Sequence, residues 1–96
     1  MTYLKVRWIH KSPDDPVLLY SELDDERREI RKVEIFPDHS IGFASANSKA
    51  KDTRLGEVPV PSIEEIAADP EFEPREISLA DFELIWRNRF RIDLPN

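Results

Sequence analysis

At 96 residues the chain has room for one domain and one core, and a chain of that size buries only about 60–70% of the surface its unfolded form exposes. It contains no cysteine, which excludes disulfides, thiol nucleophiles and thiolate metal sites together. Twenty acidic residues against fourteen basic ones give a formal net charge of −6, which disfavours a phosphate-bearing partner.

The first 46 residues read as a run of β-strands. Segments 3–11, 16–23, 29–36 and 40–46 are rich in Val, Ile, Leu, Tyr and Phe. They are separated by Pro13-Asp14-Asp15, Asp24-Asp25-Glu26 and Pro37-Asp38-His39, the punctuation of antiparallel hairpins. Alternation places Leu4, Val6 and Trp8 on one face of the first strand and Tyr3, Lys5, Arg7 and Ile9 on the other. In the second, Val17, Leu19 and Leu23 oppose Leu18, Tyr20 and Glu22; in the third, Val33 and Ile35 oppose Lys32 and Glu34. In the fourth, Ile41 and Phe43 alternate with Gly42 and Ala44. One sheet face is expected to be apolar, and the other to carry Lys5, Arg7, Tyr20, Glu22, Lys32 and Glu34.

Residues 47–61 read as a polar loop followed by an extended segment, since Pro59 and Pro61 exclude a helix interior. Val58 and Val60 are expected along a sheet edge. Ser62 with Glu65 has capping-box spacing and opens a short helix ending near Asp69-Pro70. Ser78 with Asp81 opens a second helix, with Ile77 and Phe82 as its hydrophobic staple. Leu79, Phe82, Ile85, Trp86 and Phe90 form one stripe along it. Asp81 and Glu83 near its start, with Arg87 and Arg89 near its end, complement the macrodipole. The expected architecture is α+β: a four-stranded antiparallel β-meander in one domain, residues 1–96. Its apolar face is covered by the C-terminal helix, with the short preceding helix beside it and Trp8 and Trp86 as core anchors.

Chemistry is sparse. The two histidines, His10 and His39, have only turn aspartates Asp14, Asp15 and Asp38 near them in sequence, so no metal site is expected. The paired carboxylates Asp14-Asp15 and Asp24-Asp25-Glu26 lie in turns and lack the burial that separates acid from base. Two glycines are too few for a phosphate-cradling loop, and no nucleophile elbow is present. No catalytic residue and no cofactor are assigned. Lys5, Arg7, Tyr3 and Tyr20 could stack and neutralise a nucleic acid, but Glu22 and Glu34 share their expected face, so a nucleic-acid partner is not expected.

Charge is unevenly placed. Residues 57–83 hold nine acids against Arg75 alone, whereas Arg87, Arg89 and Arg91 outnumber Asp93 beyond them. Such a segment suits a basic protein partner, and the bland alternative is a set of cap and solubility carboxylates. Candidate partner-binding residues are Arg7, Tyr20 and Glu22 on the sheet, and Glu64, Glu65, Glu71 and Glu73 in the acidic segment. Sheet edges blocked only by Pro16 and flanking charges leave homodimerisation open.

The strings KVRW at 5–8, PDDPVLLYSELD at 13–24 and RKVEIF at 31–36 resemble a family of small uncharacterised bacterial proteins. RLGEVP at 54–59 and DPEFEP at 69–74, running on to Trp86, extend the resemblance over nearly the whole chain. The family is a domain of unknown function, so the resemblance implies a stand-alone domain and carries over no catalytic residue. Where its pattern has Gly after the third strand, this chain has Asp38-His39-Ser40. The absence of a signal-peptide-like apolar stretch after Met1, or of any run near the roughly 18 residues of a membrane span, points to a cytoplasmic protein without a membrane partner. The expected function is a non-enzymatic protein-binding module, of immunity (toxin-neutralising) or regulatory type, acting through its acidic surface. The alternative is a small enzyme or ligand-binding domain with a pocket between sheet and helices.

Overall fold

Six strands, two more than the sequence pattern predicts, make one antiparallel sheet in the computed structural model of the chain. Residues 1–51 and 53–90 are described; Asp52 of the polar loop, and Arg91 and Asp93 of the charge reading, lie outside them. The strands are β1 (Thr2–Trp8), β2 (Leu18–Leu23), β3 (Glu29–Ile35), β4 (Ile41–Ala44), β5 (Lys49–Ala50) and β6 (Phe72–Ile77), with helices α1 (Ile63–Ala67) and α2 (Leu79–Arg87). Their order across the sheet is β5-β4-β3-β2-β1-β6. The fold is α+β, but the four-stranded meander is extended at both edges, by two-residue β5 and by β6.

Hairpin chemistry sets the register of the central strands. The β2–β3 and β3–β4 connections are closed alike: the Asp24 N–H donates to the Arg28 carbonyl at 3.0 Å and the Phe36 N–H to the Ser40 carbonyl at 3.0 Å. Each three-residue loop ends on a left-handed residue, Arg27 (φ 63°) or His39 (φ 72°), the position such loops commonly give to glycine. His39 therefore stands where the resembling pattern's Gly would relieve the backbone.

This register corrects the expected faces. Tyr20 lies opposite Val33, and Val33 opposite Phe43. Directly paired residues share a face, so Val33, Ile35, Ile41 and Phe43 sit with Tyr3, Lys5, Tyr20 and Glu22, not with Leu4, Val6 and Leu19. Lys32, paired with Ser21, and Glu34, paired with Leu19, go to the Leu4 face. Both faces are mixed, and both are covered.

On the Tyr3 face the cover is α2. Phe82 is completely buried, 5.5 Å from the Tyr3 ring, and Trp86 meets Phe43 edge-on at 5.9 Å. Ser78 Oγ accepts the Asp81 N–H at 3.0 Å and caps the helix. The buried stripe is narrower than expected, because Leu79 and Phe90 are exposed. Neither tryptophan is a fully buried anchor: Phe82, Leu4, Leu23 and Val33 take that place, while Trp8 and Trp86 are half-buried.

On the Leu4 face the cover is α1 together with the irregular chain from Thr53 to Pro61. Residues that alternation assigns to solvent hold this strap. Glu34 accepts from Thr53 Oγ1 at 2.9 Å, Lys32 donates to the Arg54 carbonyl at 3.0 Å, and Glu29 accepts the Gly56 N–H at 2.6 Å. Arg27 donates to the carbonyls of Val60 and Pro61 at 2.9 and 2.6 Å. Gly42 permits the approach, since a Cβ there would collide with Thr53 Oγ1. Val60 thus lies across the sheet beside α1, not along its edge, and Val58 is exposed.

The β6 edge is protected by its sequence. Ile9 N–H donates to the Glu71 carbonyl at 2.8 Å and Trp8 N–H to the Val17 carbonyl at 2.9 Å. That phase turns the backbone of Phe72, Pro74 and Glu76 away from β1. Pro74, with no N–H to offer, therefore sits at an outward-facing edge position, where it blocks further pairing.

Candidate functional site

The largest polar constellation below the surface is built on facing β2 and β3 positions. Glu22 and Arg31 are cross-strand partners, and their side chains meet twice, Nε to Oε1 at 2.5 Å and Nη2 to Oε2 at 2.9 Å. α2 adds Glu83, which accepts from Arg31 Nη2 at 2.7 Å. Tyr3 donates its hydroxyl to Glu22 at 3.1 Å. The guanidinium lies 4.9 Å from the Phe82 ring centre and 5.1 Å from that of Trp86, a cation–π arrangement. Hydrogen bonds from Arg31 hold both carboxylates below their ordinary pKa, and burial with the Glu22 contact raises that of Tyr3. Both carboxylates share the one guanidinium, so the cluster fastens α2 to β2 and β3.

The surface offers openings instead. A groove of about 400 Å³ runs between the Leu4 face and α1, walled by Leu4, Val6, Leu19, Val60, Ile66 and Phe72. Glu65 and Asp69 stand on its rim. Glu65 also completes the capping box with Ser62, its N–H bonding to Ser62 Oγ at 3.2 Å. No described lysine or arginine lines this groove, and Arg27 and Lys32 are occupied with strap carbonyls and with Glu29. The exposed rim is therefore acidic around an apolar floor.

The seven residues singled out from the sequence fall into four places. Glu64, Glu65 and Glu71 are exposed along the α1–β6 edge, and Glu71 accepts from Trp8 Nε1 at 3.3 Å. Arg7 and Glu73 are paired across β1 and β6 at 3.4 Å, both exposed. Tyr20 lies mid-sheet with Lys5 Nζ 5.7 Å from its ring centre. Glu22 stands apart from the other six: only 6% exposed, it belongs to the Arg31 cluster. Arg31 was not singled out; its signal is a base in β3 directly opposite an acid in β2, visible only once the register is known.

His10 and the turn acid Asp24 are engaged locally. His10 Nδ1 accepts the Ser12 N–H at 3.0 Å, which leaves Nε2 to donate to the Pro16 carbonyl at 2.8 Å. Asp24 Oδ1 accepts the N–H groups of Glu26 and Arg28, each at 2.9 Å. Among the described residues no three His, Asp or Glu side chains stand close enough to hold a metal ion, and no described helix is long and apolar enough to cross a membrane.

Residues 2–91 match the family described as a domain of unknown function (DUF6881), and the chain belongs to that family. No curated protein and no solved structure matches the chain.

Proposed function

We propose that this protein is a non-enzymatic protein-binding module, which takes an apolar, basic segment of its partner in the groove beside α1. The observation that carries the reading is the composition of that groove: an aliphatic and aromatic floor, with Glu65 and Asp69 on the rim and no described base in its lining. Apolar anchors in such a groove supply affinity, while complementary charge steers the encounter. Glu64 and Glu71, exposed on the same edge, extend the negative field beyond the rim. A toxin-neutralising role is the sharpest form of the proposal, the partner being a basic protein met in the cytoplasm.

The test is selection from a displayed peptide library, followed by titration of the winners into protein carrying labelled methyl groups. Enrichment of Lys/Arg-flanked apolar sequences, with shifts at Leu4, Val6, Leu19 and Val60, is the expected result. Replacing Glu64, Glu65, Glu71 and Glu73 together by Gln keeps the capping box and should slow association roughly ten-fold at low salt. Peptides enriched without regard to charge would remove the electrostatic part of the reading. Shifts at the same methyls with small apolar molecules, and with no peptide, would favour the alternative of a ligand-binding domain.

A further inference from the structure

The opposite face of the sheet carries a second opening, independent of the groove beside α1. Three cross-strand rows lie side by side there. In the first, Arg31 is matched by Glu22 and by Glu83 from α2. In the third, Arg7 is matched by Glu73. The middle row runs Arg75, Lys5, Tyr20 and places two cations directly opposite each other on β6 and β1. No described carboxylate comes within 4.0 Å of either, though the cations of the rows on both sides are paired. Like charges directly opposed on neighbouring strands destabilise the pair, so the fold holds an unbalanced positive charge at this one row.

That row floors a groove of about 420 Å³ whose wall is α2. Ile77, Leu84 and Ile85 give it an apolar side, and the Tyr20 ring lies beside Lys5. Asp81 is the one carboxylate lining it and reaches neither cation. The volume falls within the range of small-molecule sites. We infer that this groove binds a small aromatic anion, its carboxylate or phosphate lying between Lys5 and Arg75 and its ring against Tyr20 and Leu84. A phosphate would gain from bidentate arginine, a carboxylate from the same fork. The apolar wall requires a ring or chain next to the charge, which distinguishes the ligand from a free inorganic ion.

Benzoate, phenyl phosphate and neutral benzamide, titrated at millimolar concentration into the labelled protein, test the site. Shifts confined to Lys5, Tyr20, Arg75, Ile77 and Leu84 are expected with either or both anions and none with benzamide; the stronger anion identifies the head group. Inorganic phosphate should shift these residues at least ten-fold more weakly than phenyl phosphate. Equal response to benzamide, or shifts spread over Arg27, Arg28 and Arg54, would overturn the proposal. Lys5→Glu provides a readout that needs no ligand. It should raise the melting temperature by pairing with Arg75, and abolish the anion response. A lower melting temperature with retained anion binding would mean that the row is already balanced and that the site does not exist.

Discussion

Where α2 crosses the sheet, Phe82 is fully buried and Glu83 is drawn onto Arg31. Where the Thr53–Pro61 strap crosses the other face, side-chain bonds to backbone groups hold it, and an open groove remains beside α1. The first face is closed by packed rings and an ion triad in which Arg31 and Glu22 are mostly covered and the Glu83 side chain is 37% exposed. The second buries Leu4 and Leu23 as completely as the first buries Phe82, and its strap is held by hydrogen bonds to charged side chains, several of them exposed, each contributing about 1.5–3 kcal/mol at most. The two covers therefore differ in what holds them, packed rings under α2 and charged side chains on backbone groups under the strap. Local opening is expected where hydrogen bonds, not packed rings, hold the chain, and the proposed partner groove lies on that side.

The largest break in that comparison is Phe82→Ala. Removing a completely buried ring should cost about 3–5 kcal/mol, much of the stability of a domain this small. A denaturant midpoint close to wild type would show that α2 does not carry the core.

Arg31→Met comes next. The stem is retained, but Glu22, 6% exposed, loses its partner. Breaking a fully buried pair costs about 3–5 kcal/mol, and because the Arg31 side chain keeps 19% exposure the expected loss is about 2–3. The same cluster sets the acid response. Glu22 and Glu83 are both held below their ordinary value of 4.5 by hydrogen bonds from Arg31. Their stabilisation is therefore complete above that value and is lost as pH falls through the depressed folded values. Tyr3 runs the other way: its raised pKa makes its contribution complete below 10 and lost as pH rises through the folded value. Chemical denaturation across acid pH should show a steep fall for wild type and a shallower one for Arg31→Met. Parallel curves would remove the cluster from acid unfolding.

The same contrast explains what was legible beforehand. Strands β1 to β4 and both helix starts follow from alternation, turn residues and serine caps, all of which act over a few residues. β6 was missed because Phe-Glu-Pro-Arg-Glu-Ile carries a proline and alternates charge with little apolar period, as an edge strand can. Face assignment failed at β3, since alternation fixes which residues share a side within one strand but not which sides of two strands coincide. The three-residue loops ending at Arg27 and His39 decide that. Glu22 and Arg31 were unreadable as a buried pair for the same reason. The acidic edge at Glu64, Glu65 and Glu71 was visible in composition, whereas its apolar floor needed the strap folded across the sheet.

On the strap side, Ile66→Ala sharpens the comparison. Ile66 is half-buried, so truncation should cost about 1–2 kcal/mol, below the 2–5 of a fully buried aliphatic residue. The variant should remain folded at room temperature with its α2-side amide protection unchanged, while peptide affinity for the groove falls. A loss as large as that of Phe82→Ala would mean that the two faces fold with equal weight.

The finest comparison sets the two serine caps against each other. Ser78 accepts the Asp81 N–H at 3.0 Å at the head of nine-residue α2, and Ser62 accepts the Glu65 N–H at 3.2 Å at the head of five-residue α1. In isolation the capping box at Ser62 is the better cap, because Glu65 also accepts the Ser62 N–H at 3.2 Å. Global stability should rank them oppositely. Fraying the first turn of α2 loosens Phe82 and Glu83, so Ser78→Ala should cost about 1 kcal/mol. Fraying α1 uncovers a half-buried groove and is confined to a local opening, so Ser62→Ala should cost roughly half of that or less in global unfolding. Hydrogen exchange separates the two. Ser78→Ala should speed exchange at slow core amides in β2 and β3, and Ser62→Ala only at amides of α1. Faster core exchange in Ser62→Ala would show that α1 and the strap are part of the cooperative unit that α2 closes.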